Sequence, residues 1–185
     1  GCTALGSMYE GGEGVEKSEK QAVALYKQGC DTGDARGCTE LGTAYSRGIG
    51  VLQDDARALG LFKKGCDGGD SRGCLMLGVM YSNGEGVEAS MERAVALYKR
   101  ACDGGDFKAC AALGSAYEYG DGGLPESGSK AQKLYKKACD GGSAVGCHFL
   151  AFYLEYLDEP GTEPRIAALY TQACDDDWGR SCSLL

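Results

Sequence analysis

The chain has 185 residues, of which 43% are hydrophobic and 9% aromatic, and its formal net charge is -8 at pH 7. The excess of 27 acidic over 19 basic residues would repel a polyanion, so we predict no nucleic-acid binding and favour a basic peptide or protein as partner. No apolar run approaches the roughly 18 residues of a membrane-spanning helix, so we predict no membrane insertion.

The cysteines follow a fixed frame along the chain. Ten of the 11 cysteines form pairs separated by eight residues, and the first cysteines recur at steps of 36, 36, 37 and 35 residues. A constant period of this length is typical of a repeat protein. We therefore divide a single repeat domain into residues 1–36, 37–72, 73–108, 109–145 and 146–180, and residues 181–185 begin a sixth unit. The pairs are Cys30 and Cys38, Cys66 and Cys74, Cys102 and Cys110, Cys139 and Cys147, and Cys174 and Cys182.

Each repeat contains the pattern of two helices, shown most clearly by residues 73–102. In the first, the A helix, apolar residues are spaced by three and four, and Gly84 and Gly86 then end the helix. The second, the B helix, has the same apolar spacing after Ser90. The residues before the five B helices are all common N-caps, so each repeat is predicted to be an antiparallel helical hairpin. These caps are Ser18, Asp54, Ser90, Ser127 and Thr162.

Small and large residues recur at matching positions of the two helices. Four of the five A helices carry a glycine at one such position, and a glycine inside a helix costs about 1 kcal/mol relative to alanine. Its repetition predicts that the A and B helices approach each other closely. Leucines of the A helices and aromatic residues of the B helices are predicted to fill the core. The small column is Gly6, Gly42, Gly78, Gly114 and Ala151; the leucines are Leu5, Leu41, Leu77, Leu113 and Leu150; the aromatics are Tyr26, Phe62, Tyr98, Tyr135 and Tyr170.

The even spacing of the cysteines favours disulfides and an oxidising compartment over a set of buried thiols. Zinc is not predicted, because the chain has one histidine and no C-x-x-C motif. The spacing permits two pairing patterns. Pairing within a hairpin would join Cys2 to Cys30 and Cys38 to Cys66, whereas pairing across the following turn would join Cys30 to Cys38 and leave Cys2 over.

The motifs LGxxYxxGxGV and AxxLYKxACDxGD, followed by the second cysteine, resemble Sel1-like repeats of the Helicobacter cysteine-rich protein type, which are relatives of tetratricopeptide repeats. The resemblance covers essentially the whole chain. It implies an all-α, α/α solenoid with a right-handed superhelix and disulfides across the turn between successive hairpins. Cys2 would then pair with a cysteine preceding Gly1. The paired cysteines predict a periplasmic or secreted protein, and the resemblance implies that it is bacterial.

The candidate binding surface is a stripe along the A helices. Its residues vary in chemistry while the core positions hardly vary, and the resemblance implies that it lines a concave peptide-binding surface. Arg36, Arg72 and Lys108 repeat in the first helical turn, where a cation is unfavourable; pairing with the preceding Asp34, Asp70 and Asp106 is the structural alternative, and an ordinary solvated face is another. The predicted binding residues are Arg36, Thr39, Thr43, Arg72, Leu75, Val79, Lys108, Ser115, Glu118, His148 and Phe152.

An enzymatic alternative depends on a single motif. Some cysteine-rich relatives have been described as penicillin-binding with weak β-lactamase activity, and Ser127 and Lys130 form an S-x-x-K sequence. Neither an S-x-N motif followed by K-T-G nor a deacylating glutamate motif accompanies it, so we interpret Ser127 as a helix cap. We therefore predict a monomeric, non-catalytic scaffold that binds a protein or peptide and needs no cofactor, with weak β-lactam hydrolysis as the alternative.

Overall fold

The computed structural model describes residues 1–158 and 160–175, and this part of the chain contains helices and no strand. Each predicted repeat supplies one A and one B helix, and a short 3₁₀ turn, Asp121–Gly123, follows the fourth A helix. The A helices are α1 (Cys2–Gly11), α3 (Ala35–Arg47), α5 (Ser71–Asn83), α7 (Phe107–Tyr119) and α9 (Ala144–Leu157); the B helices are α2 (Glu19–Asp31), α4 (Asp55–Asp67), α6 (Met91–Asp103), α8 (Gly128–Asp140) and α10 (Glu163–Asp175).

The chain forms two compact units, and the second begins at Gly105. In the first unit, helices α1 to α6 form three hairpins, and each of α2 and α4 packs against its own A helix and the next one. The A helices also contact each other directly, α1 with α3 and α3 with α5. In the second unit, α7 to α10 form two hairpins, with α8 packed against both A helices and α7 in contact with α9.

The helix starts are fixed by short polar side chains, as predicted for the B helices. Ser18, Asp54 and Ser90 accept a hydrogen bond from the third backbone N–H that follows them. Ser127 lies at the N-cap position of α8 but makes no side-chain capping bond. The A helices after α1 are capped by side chains too, at residues for which the sequence analysis predicted no cap: Asp34, Asp70, Asp106 and Ser143.

The glycine column makes room for the aromatic ring of the paired B helix. A Cβ on Gly78 would lie 2.7 Å from the ring of Tyr98, and one on Gly42 would lie 2.8 Å from the ring of Phe62. The predicted close approach of the A and B helices is therefore confirmed, and the group nearest to each of these glycines is the aromatic side chain of the B helix. Four of the predicted leucines and all five aromatic residues are buried, whereas Leu5 in the first A helix is 40% exposed.

The disulfides follow the pattern across the turn. Bonds join Cys30 to Cys38, Cys66 to Cys74 and Cys139 to Cys147, each with a Cα–Cα distance of 4.4 Å. Cys102, Cys110 and Cys174 are disulfide-bonded as well. Cys182, the predicted partner of Cys174, lies outside the described residues. Cys2 is a free cysteine.

The A helices end in a left-handed residue, which is glycine in the first four repeats. The fifth repeat, whose loop departs from the pattern, places Asp158 there with φ 47°. The left-handed conformation strains most residues other than glycine and is tolerated best by asparagine and aspartate. The fifth A helix therefore ends in the same left-handed conformation as the others, with a different residue.

Candidate functional site

The predicted stripe of the A helices is partly a packing surface in the first unit. Thr39, Thr43 and Leu75 are 0%, 6% and 9% exposed. The Thr39 hydroxyl donates to the backbone oxygen of Ala35, and the Thr43 hydroxyl donates to that of Thr39. Thr39 lies against Gly65 of α4 and Gly73 of α5, and burial leaves these three predicted binding residues little surface for a ligand to contact. Val79 is half-buried.

The two cations of the stripe in the first unit share one buried carboxylate. Glu40 is 8% exposed, and Arg72 donates to it from Nη1 at 2.8 Å. Arg36 Nε lies 3.8 Å from the same carboxylate. Asp34 and Asp70, the predicted partners, cap the helices instead. Arg36 and Arg72 therefore balance the charge of Glu40, and the bond from Arg72 links α5 to α3.

The stripe of the second unit is more accessible. Lys108 is exposed and makes no ion pair with any residue in the described ranges, while Ser115 is half-buried. Glu118 accepts a hydrogen bond from the Tyr135 hydroxyl at 2.6 Å. Glu118, predicted to contact a ligand, thus also has a structural role within its own hairpin.

That bond belongs to a recurring pair that the sequence analysis missed. The hydroxyl of the core tyrosine on a B helix donates to a glutamate in the last turn of its A helix, from Tyr26 to Glu10 at 2.6 Å and from Tyr170 to Glu155 at 2.9 Å. Burial, with a smaller contribution from the glutamate, raises the pKa of both tyrosines to about 12. The glutamates occupy the same position in each of these repeats, as the tyrosines do, and this regularity in the sequence could have revealed the pair.

Several aromatic side chains on the A helices of the second unit are exposed to solvent. Phe152 is 51% exposed, and Tyr119 and Tyr156, which occupy equivalent positions of α7 and α9, are 66% and 79% exposed. His148 packs with its ring centroid 5.7 Å from that of Tyr170. Apolar groups exposed to this degree commonly mark interaction surfaces. Phe152 was predicted as a binding residue, whereas Tyr119 and Tyr156 were not.

The S-x-x-K sequence does not bring its two side chains together. The Ser127 hydroxyl lies 3.4 Å from that of Ser129, and Lys130 Nζ lies over the ring of Tyr117, 4.8 Å from its centroid. The equivalent Arg57 and Arg93 lie over the rings of Tyr45 and Tyr81 at 5.4 Å. Lys130 is therefore one member of a repeated cation–π column.

The described part of the chain holds no group of three or more histidine, cysteine, aspartate or glutamate side chains arranged to bind a metal ion. In the same residues, no helix is both long and apolar enough to span a membrane.

Comparison with solved structures identifies similar folds. The chain matches a Sel1 repeat protein from Oxalobacter formigenes with a TM-score of 0.86 and 27% identity, over 97% of this chain and 74% of that one. It matches c5321, a protective antigen of uropathogenic Escherichia coli, with a TM-score of 0.76 and 25% identity, over 94% of this chain and 37% of that one. Helicobacter pylori cysteine-rich protein B gives a TM-score of 0.58 and 28% identity, over 74% of this chain and 97% of that one.

No curated protein matches the chain significantly. The Sel1 repeat family, however, matches residues 1–34, 35–70, 71–106 and 107–143. These repeats begin two residues before the predicted ones from the second repeat onward, and the hairpin of α9 and α10 follows the last of them. The predicted all-α solenoid class is confirmed, and the chain belongs to the Sel1 repeat family.

Proposed function

We propose that this protein is a non-catalytic scaffold that binds a protein or peptide on its A helices, in the periplasm or outside the cell. Membership of the Sel1 repeat family supports an interaction role. The disulfides indicate an oxidising environment, since thiols in the cytosol are normally kept reduced. The E. coli relative is described as a protective antigen, which fits a location outside the cytoplasm.

The exposed aromatic side chains of the second unit carry this proposal. Phe152, Tyr119 and Tyr156 are each more than half exposed, although their hairpins possess a well-formed core. Large aromatic residues commonly supply much of the affinity of a protein interface, because they bury much area at a low cost in side-chain entropy. Glu155 is exposed on the same helix and would favour a ligand with a basic group.

The proposal is tested by capturing partners from periplasmic or culture fluid and titrating them calorimetrically against variants. Phe152→Ala and Tyr156→Ala should weaken binding at any salt concentration and leave the melting temperature unchanged. Lys63→Glu, at an exposed position of the B helix α4, is the control and should bind as wild type. Loss of binding with Lys63→Glu alone would move the site to the B helices.

The hydrolase alternative is tested separately with nitrocefin. Because Lys130 lies over Tyr117 instead of beside Ser127, we expect no turnover that depends on the serine. Hydrolysis by the wild type that is abolished in Ser127→Ala would contradict the scaffold proposal.

A further inference from the structure

Two departures from the repeat pattern meet on one side of the second unit. The first residue of the other A helices after α1 is small, Ala35, Ser71 or Ala144, but in α7 it is Phe107. The sixth residue of the B helices is alanine or glycine except in α8, where it is Lys133. Both large side chains line the same open cleft of about 430 Å³.

The floor of this cleft is apolar. The Phe107 ring lies against Gly141, where a Cβ would collide with it, and the ring is only half-buried. At the equivalent turn of the first unit, Ser71 donates to the backbone oxygen of Gly104, so a polar contact occupies that place. Phe107 thus exposes an aromatic surface where another repeat closes the turn by a hydrogen bond.

The walls of the cleft are cationic. Lys133, Lys136 and Lys137 line it together with a single acidic residue, Asp140. Lys136 pairs with Asp140 at 2.6 Å. Lys133 is exposed and has no ion pair with any residue described by the structure. The cleft therefore carries a local positive charge on a chain whose net charge is -8.

We propose that this cleft binds an acidic peptide segment that carries an aromatic residue between its carboxylates. The ring of the ligand would pack on Phe107, and its carboxylates would pair with Lys133 and the neighbouring lysines. This site lies on α8 and the start of α7 and includes neither Phe152 nor Tyr156, so variants can test it separately from the A-helix surface. A nucleic acid fits less well, because the negative net charge repels a long polyanion.

The test is a calorimetric titration with the peptide acetyl-Glu-Trp-Glu-Glu-amide at low salt. Lys133→Ala and Phe107→Ala should each weaken binding by roughly fivefold or more, and added salt should weaken binding to the wild type. Lys63→Ala, which removes an exposed lysine from α4, should bind as wild type. Thermal unfolding of each variant verifies that it remains folded.

Three outcomes would overturn the proposal. One is the absence of measurable binding to the wild type, and another is equal binding by wild type, Lys133→Ala and Phe107→Ala. The third is equal affinity for acetyl-Glu-Ala-Glu-Glu-amide, which would show that the cleft recognises carboxylates alone and that Phe107 adds nothing. None of these outcomes bears on the A-helix surface, which is tested with Phe152→Ala and Tyr156→Ala.

Discussion

At the scale of single residues, the glycines inside the A helices lower helix stability but leave room for an aromatic ring of the B helix. We expect Gly78→Ala to destabilise the protein by up to about 2 kcal/mol. Overlap of its Cβ with the Tyr98 ring costs about 1–3 kcal/mol, and the gain in helix propensity offsets about 1 kcal/mol of this cost. The control is Gly60→Ala in α4, where a Cβ would have nothing within 4 Å, and it should stabilise. Urea unfolding of both variants measures the difference, and stabilisation by Gly78→Ala would contradict the packing account.

The tyrosine–glutamate pairs predict sensitivity to alkaline pH. The pKa of Tyr26 and of Tyr170 rises from 10.0 to about 12 in the folded protein. A raised pKa favours the protonated group in the fold, so its contribution to stability is complete below pH 10 and is lost as the pH rises through about 12. Tyr26→Phe should therefore lose less unfolding free energy than the wild type between pH 10 and 12. This variant also lacks the hydrogen bond to Glu10.

The measurement combines absorbance at 295 nm, which reports tyrosinate, with urea unfolding at several pH values. Tyr26 and Tyr170 should ionise only as the pH rises towards about 12. An identical pH dependence of the stability of wild type and Tyr26→Phe between pH 10 and 12 would contradict the prediction.

At the scale of the helices, Arg72 of α5 and Lys108 of α7 occupy equivalent positions but differ in their surroundings, because Arg72 pairs with the buried carboxylate of Glu40. Arg72→Glu should destabilise the protein by about 1–3 kcal/mol, because it removes a charged hydrogen-bond partner of a buried group and adds a like charge beside it. Lys108→Glu changes the same position of α7, where no described residue pairs with the lysine, and a carboxylate suits the helix N-terminus. The change in melting temperature should therefore differ in sign or size between the two variants. Equal changes would show that the ion pair between Arg72 and Glu40 contributes nothing to stability.

The sequence predicted the helices and their pairing better than it predicted the surface. Periodicity and turn glycines reveal the hairpins because these signals are local and repeat in every unit. Whether Thr39, Thr43 and Leu75 face solvent depends instead on how closely successive A helices pack, which spacing within one helix does not determine. Arg72 likewise finds its partner, Glu40, 32 residues away, on another helix of the first unit.

The exposed aromatic residues also show that spacing within one helix does not determine which side chains face solvent. Phe152 was predicted because it falls on the stripe, whereas Tyr119 and Tyr156 lie beside it in helical projection. Both tyrosines lie in the last turn of their helices, α7 and α9. Phe107 and Lys133 could have been noticed as departures from the repeat, but only the packing of α7 against α8 brings them to one cleft.

At the scale of the whole molecule, the hairpins within each compact unit depend on their neighbours. Contacts within such an array are local, so its stability is close to the sum of hairpin terms and interface terms between neighbours. A disulfide across the turn strengthens an interface without adding buried area. On the chain-entropy account, a closed loop of about eight residues contributes roughly 2.5 kcal/mol, and removing the bond should cost a comparable amount.

The bond between Cys66 and Cys74 tests this dependence directly, because it joins α4 to α5 inside the first unit. We expect the double variant Cys66→Ser and Cys74→Ser to lose roughly 2.5 kcal/mol of unfolding free energy. Peptide mapping of the wild type without reduction should recover the peptides that join Cys30 to Cys38, Cys66 to Cys74 and Cys139 to Cys147. Strong reductant should lower the melting temperature of the wild type more than that of the double variant, which has one fewer bond to lose. An unchanged melting temperature on reduction, or recovery of a peptide joining Cys2 to Cys30 as the main product, would contradict the proposed role of these bonds.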